Sequence, residues 1–529
     1  MSQRAVQTTD FWQTQFQITN EAIEALYNTI LETSEPMPID AIGFFFVKYQ
    51  LEEEERKLRS EIEQGKLYFP HQSYVVNDKI VFPHLDYAVG AVVNTRPGYN
   101  LKDEDFTVLE VVFEKHAGLS AEFAAELKSP HPLLGVNDDR SASEEADSIQ
   151  KIYGQFQHLI RPKVEAVLGL NENFVEFNHA WFLVDLLVEV QEGLLNIVDA
   201  AIDINSGPLN VDTLIEQIEL QGSNKITEAL RFSVNYCLRN DDRFENVGAE
   251  NNILWYLNRL KPIQVTQPPP RLYKVQRHFD IKLLNDEQRA LLAEMDDEAT
   301  PSEYAKPIDP EATSAVLILN YPHRRFGSLP VTPSVGHLLP QADGRLLALQ
   351  FIDGRTGDSM LGWYVSQYDY IWGLEDWYVK YKLPVGAVIY LTKTDDRMKL
   401  IIDFIPQRLT QEYVRVAVVK NNQLAFEMKK RRLACKYDEF MIIGEESSES
   451  IDLLWERGER EKLTVYELLV QILPELMRLT SQGAVHIKTI YSAVNVLKRC
   501  SPGSLMQELI THSDFISVGH SYWSYKPIG

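Results

Sequence analysis

The residues of this chain that could do chemistry are few, and their spacing excludes the commonest reactions. There is no GxxxxGK[ST] phosphate loop, no GxGxxG after a strand and no HExxH helix, so nucleotide cradles and zincin-type metal centres lack their framework. His84, His158 and His179 show no metal-ligand spacing. Asp353 with Asp358, or Asp395 with Asp396, could form a nuclease-type carboxylate pair near Lys399. Acid clusters in turns more often face solvent, so no catalytic, metal-binding or cofactor-binding residue is expected, and the chain is read as no enzyme. Cys237, Cys435 and Cys500 lie far apart, form no CxxC pair and lack a neighbouring histidine, which predicts buried, unreactive thiols in a reducing compartment.

What remains is charge. The 529 residues hold 52 Lys and Arg against 76 Asp and Glu, a formal charge of −24. Such a chain is no general polyanion binder, and any nucleic-acid contact needs a local basic patch. Tyr321 to Phe440 supplies one, with 17 basic against 13 acidic residues. Arg324 and Arg325 open it, and Lys429, Lys430, Arg431 and Arg432 close it. Lys498 and Arg499 follow a helical run near the C-terminus. These eight are the candidate nucleic-acid-binding residues. Trp363, Tyr364, Tyr368, Tyr370, Trp372, Trp377 and Tyr378 could stack bases, but the alternation in GWYV places most of them in a core.

The elements that must position these residues show in the hydrophobic period. Residues 15–73 read as helical, 74–135 as a small β-barrel, and 148–262 as helical again. Residues 313–440 are strand-rich, and 461–529 end the chain in helices and short strands. The expected fold class is multi-domain α+β, with helical winged-helix modules alternating with small β-barrel modules. Val136–Asp147, Gln267–Pro270 with the acidic run Asp296–Glu311, and Gly444–Ser450 read as solvated linkers. The polar start, Met1 to Asp10, has no signal-peptide core. Trp181–Ile202 carries Asp185, Glu189, Glu192 and Asp199, too many acids for a membrane span. A cytoplasmic location without membrane contact is expected.

An internal repeat is the most informative pattern. Leu238 precedes Phe244 by six residues, followed by Val247-Gly248 and Trp255; Leu509 precedes Phe515 by six, followed by Val518-Gly519 and Trp523. A helix ending at the leucine, a strand through F-x2-V, a turn at glycine and a return strand at tryptophan would produce both. That is the back half of a winged helix. These segments resemble the HARE-HTH family of winged helices, whose pattern ends in an acid-Arg-Phe, a Val-Gly and a Trp. Asp242-Arg243-Phe244 to Gly248 follows it, and Asp514 to Gly519 lacks the arginine. Glu21–Val76 reads as a third copy, with GKLYFPHQSYVV as its hairpin, lacking Val-Gly and tryptophan.

Tyr74–Phe113 resembles the Tudor-like barrels of transcription-coupling factors. Leu329–Phe404, with Trp372-Gly373 and Leu383-Pro384-Val385-Gly386, resembles the plant-type DNA-binding pseudobarrel, with Ala387 where that family has aspartate. The resemblances imply a DNA-binding or transcription-associated protein, with duplex DNA, RNA polymerase or another nucleoprotein complex as partner. Two alternatives stand beside it: a protein-docking adaptor, and the specificity subunit of a restriction or phage-defence system.

Overall fold

The computed structural model describes residues 5–62, 65–82, 85, 88–99, 106–113, 120–128, 142–218, 226–250, 252–273 and 278–527. The chain divides into two compact units, Met1–Val190 with Gly222–Cys237, and Gln191–Gln221 with Leu238–Gly529. Among the described residues no helix is long and apolar enough to cross a membrane.

The first unit begins with α1 (Asn20–Thr33), whose Ala22, Leu26 and Ile30 recur every four residues and are buried on one face. Thr19 caps it, its side chain accepting from the Ala22 amide. Strand β1 (Met37–Pro38) leads into α2 (Ile39–Ile62). A five-stranded sheet follows: β2 (Lys66–Leu67), β3 (Lys79–Phe82), β4 (Ala88–Gly98), β5 (Phe106–Phe113) and β6 (Ser120–Ala125), paired in chain order. Backbone bonds from Glu126 to Gln72 (3.1 Å) and Leu127 to Pro70 (2.9 Å) tie the far end to the segment after β2, closing a small barrel. Gly90 permits that closure, since a β-carbon there would lie 2.4 Å from Val111 Cγ1. The expected hairpin at Gly65–Val76 is therefore not a wing. Its strand β2 pairs in parallel with β3 as part of this barrel.

The first wing lies much further along the chain. Helix α3 (Ala142–Gly169) precedes β7 (Phe174–Phe177) and β8 (Ala180–Leu183), and β8 pairs with β1, Met37 opposite Trp181. The barrel is thus an insertion between the second and third helices of a winged helix. Of the expected linker Val136–Asp147, residues 136–141 lie outside the described residues, and the remainder opens α3.

Two further modules repeat this order. The middle one has α4 (Glu192–Asn205), α5 (Val211–Ile218), α6 (Glu228–Arg239), β9 (Phe244–Asn246) and β10 (Trp255–Leu257). The unit boundary runs through α6. Within the first unit, Phe232 of α6 packs on the first wing, its ring 5.4 Å from that of Phe182.

The second unit continues through a short helix α7 (Ile263–Thr266) and α8 (Asp286–Met295) into a seven-stranded sheet. Its strands and helices are β11 (Ser314–Ile318), α9 (Tyr321–Arg325), β12 (Ser328–Pro330), α10 (Pro333–Gly336), β13 (Leu346–Asp353), β14 (Ser359–Val365), β15 (Tyr370–Trp372), α11 (Glu375–Tyr381), β16 (Val388–Lys393) and β17 (Lys399–Phe404). The spatial order is β11-β16-β17-β13-β14-β15-β12, and only β13–β17 is parallel. Trp363, Tyr370, Trp377 and Tyr378 are at most 2% exposed, so these aromatic rings serve the core and not base stacking.

A long ribbon follows, β18 (Pro406–Lys420) and β19 (Gln423–Cys435), turned by Asn421 and Asn422 at positive φ, with β20 (Gly444–Glu445) alongside β18. The Gly444–Ser450 segment is accordingly not a solvated spacer: it pairs with β18, and Ser447 caps α12 (Ser448–Glu461). Beyond lie α13 (Val465–Met477), β21 (Val485–His486), α14 (Ile487–Leu497), α15 (Pro502–Thr511), β22 (Phe515–Gly519) and β23 (Tyr522–Tyr525). The ribbon's Val414, Val416, Phe426 and Leu433 share one core with α13, α14 and α15.

All three wings have the same register. Phe174 opposes Leu183, Phe244 opposes Leu257 and Phe515 opposes Tyr525, in each case two residues past the tryptophan. Trp181, Trp255 and Trp523 face Met37, Leu209 and Val485 on their other side. The turns differ. Asn178 and His179 both take positive φ in the first, and Gly519, His520 and Ser521 do so in the third. Gly248 is needed because a β-carbon would meet the Asn252 carbonyl at 1.8 Å. Trp181, Trp255 and Trp523 are 6%, 1% and 4% exposed. Replacing any one with alanine is expected to cost about 3–5 kcal/mol, read as a lowered denaturation midpoint. A shift under about 1 kcal/mol would show that the tryptophan does not anchor its wing.

Candidate nucleic-acid interface

The eight candidate cations separate into two groups. Arg324 donates from Nε to the Leu383 carbonyl at 2.7 Å and lies over the Tyr378 ring. Arg325 pairs with Asp452 at 2.8 Å. Lys429 is shared by Glu446 (2.5 Å) and Glu427 (3.2 Å), and Lys498 approaches Glu459 at 4.0 Å. Arg499 is 7% exposed and committed inside the fold. These five are occupied by the protein itself. Lys430, Arg431 and Arg432 are exposed, and no carboxylate pairs with them among the described residues.

The ribbon explains the difference. Directly opposed residues of an antiparallel pair share a face, and alternate residues change faces. Gln411 opposes Arg432, Tyr413 opposes Lys430, and Arg415 opposes Met428 on one face, whereas Arg431 opposes Glu412 on the other. The opposite face carries Val414, Val416 and Leu433, all buried, so it is held against the core. Nearer the turn both faces are covered, since Ala417 and Phe426 are also buried. The open stretch is therefore the middle of the ribbon. Tyr413 is 63% exposed there, with the Lys430 ammonium 5.2 Å from its ring centre. Arg408 and Lys436 are exposed towards the far end of the ribbon, likewise without a carboxylate partner among the described residues. Lys436 follows Arg432 by four residues, just past the end of the same strand, whereas Arg408 comes from the other strand of the ribbon. From Pro406 to Lys436 the chain has eight basic and two acidic residues, a local charge of +6.

Arg499 has a different role. Its Nη2 lies 2.7 Å from Asp297 and 2.6 Å from Glu298, and its Nη1 donates to Asn495 at 2.9 Å and to the Cys500 carbonyl at 2.7 Å. Tyr491 donates to Asp297, and His323 meets Glu298 at 3.1 Å and Ser328 at 2.9 Å. Asp297 is completely enclosed. Burial drives its pKa upward, Arg499 opposes this, and the Glu298 charge adds to the rise. Burial would raise Glu298 too, but Arg499 and the His323 hydrogen bond hold it below the usual carboxylate range. Asp297 and Glu298 belong to the acidic run expected to be a solvated linker. That expectation fails because two of its acids neutralise a buried guanidinium. A small recess lies beside them, bordered by Asp296, Asn320, Asp438 and Lys488.

Asp353 and Asp358 are brought together by Lys380, at 3.0 and 3.1 Å. Asp353 is fully buried and accepts from Tyr381 (2.7 Å) and the Arg355 amide (3.0 Å). Burial alone would raise its pKa; these three donors hold it well below the usual range. Lys399 pairs with Asp396 in an exposed turn at 3.5 Å, and Asp395 is exposed. Among the described residues no group of three or more His, Cys, Asp or Glu could hold a metal. Burial pushes the Cys435 thiol up to about 11 and that of Cys500 up to about 12, and raises Cys237. Comparison of the chain with protein-family models, curated proteins and solved structures finds no match.

Two outcomes follow. Arg499→Ala leaves two buried carboxylates facing each other and should cost about 3–5 kcal/mol in denaturant unfolding; a loss below about 1 kcal/mol would remove the network as a keystone. Asp353 has a depressed pKa, so its stabilisation is complete above the unfolded value of 3.8 and is lost as pH falls below it. The stability gap between the protein and its Asp353→Asn variant should therefore narrow from about pH 6 to about pH 2, and a constant gap would contradict this.

Proposed function

We propose that this chain is a non-enzymatic, nucleic-acid-binding component of a transcription or nucleoprotein assembly, and that it grips phosphate with the β18–β19 ribbon. One observation carries the reading. Arg408, Lys430, Arg431, Arg432 and Lys436 are exposed and without ion-pair partners among the described residues, on a +6 segment of a −24 chain. An acidic protein that merely solubilised a strand edge would have little reason to concentrate cations on one ribbon while pairing Lys429, Arg325 and Lys498 with acids. The winged-helix order and the resemblance to HARE-HTH modules agree with such an assembly.

A second reading is favoured by the C-terminal winged helix. Ile487 to Val496 of α14 are almost all buried, and α15 buries Pro502, Gly503, Leu505, Met506 and Leu509. A β-carbon on Gly503 would strike the Phe279 ring at 2.4 Å. This third helix lies against its own chain and offers no reading face to a duplex, so this module acts as a packing element. If all three do so, the protein is a docking adaptor.

The two readings separate by salt. Each neutralised phosphate contributes about −0.9 to the slope of log affinity against log salt on duplex DNA, so four to five give a slope of about −3.6 to −4.5. Changing Arg408, Arg431, Arg432 and Lys436 together to alanine should lower the slope by about one unit for each phosphate left unneutralised. A wild-type protein that fails to bind duplex at about 50 mM salt would leave the docking reading in its place.

A further inference from the structure

We infer that the open face of the β18–β19 ribbon reads base sequence in the major groove of duplex DNA, with Gln411 and Arg432 as the base-contacting pair; this rests on the phosphate-binding reading above. Gln411 and Arg432 are directly opposed on the ladder and both exposed. Opposed β-carbons lie about 4.5–5.5 Å apart. That separation lets two side chains reach the same or adjacent base pairs, which are stacked about 3.4 Å apart.

Their chemistry is complementary to base edges. Arginine donates two hydrogen bonds to guanine O6 and N7, and glutamine both donates and accepts at adenine N7 and N6. Neither side chain has a hydrogen-bond or ion-pair partner of its own among the described residues, so neither must break an internal bond to bind a base. The strands beneath them are held, because Val414 and Leu433 on the other face are buried in a core shared with the C-terminal helices.

The dimensions and the flanking charges fit a duplex. The major groove, about 12 Å wide, admits a two-stranded ribbon. From Arg408 to Tyr413 the strand spans about 17 Å at roughly 3.4 Å per residue, half a turn of B-DNA. Arg408 and Lys436 lie at one end of this stretch and Lys430 at the other, where phosphates border the groove. A-form RNA is disfavoured as the partner because its major groove is too deep and narrow for side chains to read. A single strand is disfavoured because Tyr413 is the one aromatic ring on this open stretch and Lys430 already covers it.

The test is selection of duplexes from a randomised pool by the full-length protein, followed by competition titrations of the selected sequence against single-base changes. Wild type should enrich a fixed guanine with an adenine beside it. Arg432→Lys keeps the charge and the strand but loses the two-pronged donor, so it should bind with an unchanged salt slope while losing about 5- to 150-fold discrimination at the guanine. Gln411→Ala should lose discrimination at the adenine alone. The inference is overturned if wild type binds duplex with the expected salt slope but enriches no sequence, if Arg432→Lys discriminates as wild type does, or if duplex RNA or single-stranded DNA competes equally. In each of those cases phosphate binding survives. Absence of any duplex binding at low salt overturns the phosphate-binding reading as well.

Discussion

A guanidinium cannot be buried alone, and the second unit is organised around that constraint. Arg499 sits in the turn between α14 and α15, and its neutralising acids, Asp297 and Glu298, come from about two hundred residues earlier in the chain. Removing a charge from water costs several kcal/mol unless well-placed partners replace the lost hydration. The partners here are numerous: two carboxylates, the Asn495 side chain, the Cys500 carbonyl, and Tyr491 and His323 behind the acids. They come from several parts of the fold. His323 belongs to α9, which enters the seven-stranded sheet, and Tyr491 belongs to the helix that supports the ribbon core. Satisfying one charge therefore fixes the C-terminal winged helix against the sheet, and with it the ribbon whose outer face stays open.

The winged-helix repeat was legible where the signal was local. The spacing from leucine to phenylalanine to tryptophan specified both later hairpins, and their register follows from side chains alternating across a strand. The first copy was hidden by an insertion. Its front half ends at Ile62 and its wing begins at Phe174, with the barrel and α3 between, so the barrel's first strand occupies the place in sequence where a contiguous winged helix has its wing. The signal was present, since Leu168 precedes Phe174 by six residues and Trp181 follows. Its turn uses Asn178 and His179, both at positive φ, and has no Val-Gly, the dipeptide that marked the other two.

The candidate interface was half legible for a related reason. A run of basic residues can be seen in a sequence, but its pairing cannot. Lys429 and Arg325 look no different from Lys430 and Arg431 until Glu446 and Asp452 come into reach through the fold. Arg408 was invisible because it stands on the other strand of the ribbon, far in sequence from the Lys429 to Arg432 run. The same limit hid the buried network. An acidic, proline-bearing run reads as solvated, and only the position of Arg499 makes two of its acids part of a core.

An acidic chain with one basic ribbon has a particular electrostatic consequence. At physiological ionic strength charges are screened beyond about 8 Å, so a phosphate against the ribbon senses the cation beside it, Arg408 at one end or Lys430 at the other, while the distant acidic surface is largely silent. Away from the ribbon the same phosphate meets net negative charge, with −30 left on the chain once the ribbon's +6 is set aside. Attraction is then confined to one orientation. A uniformly basic protein would hold DNA in many orientations, whereas on the proposed reading a lasting grip has the open face directed at the duplex. Under the proposed function, the acidity that first argued against nucleic-acid binding restricts it to a single register on the molecule.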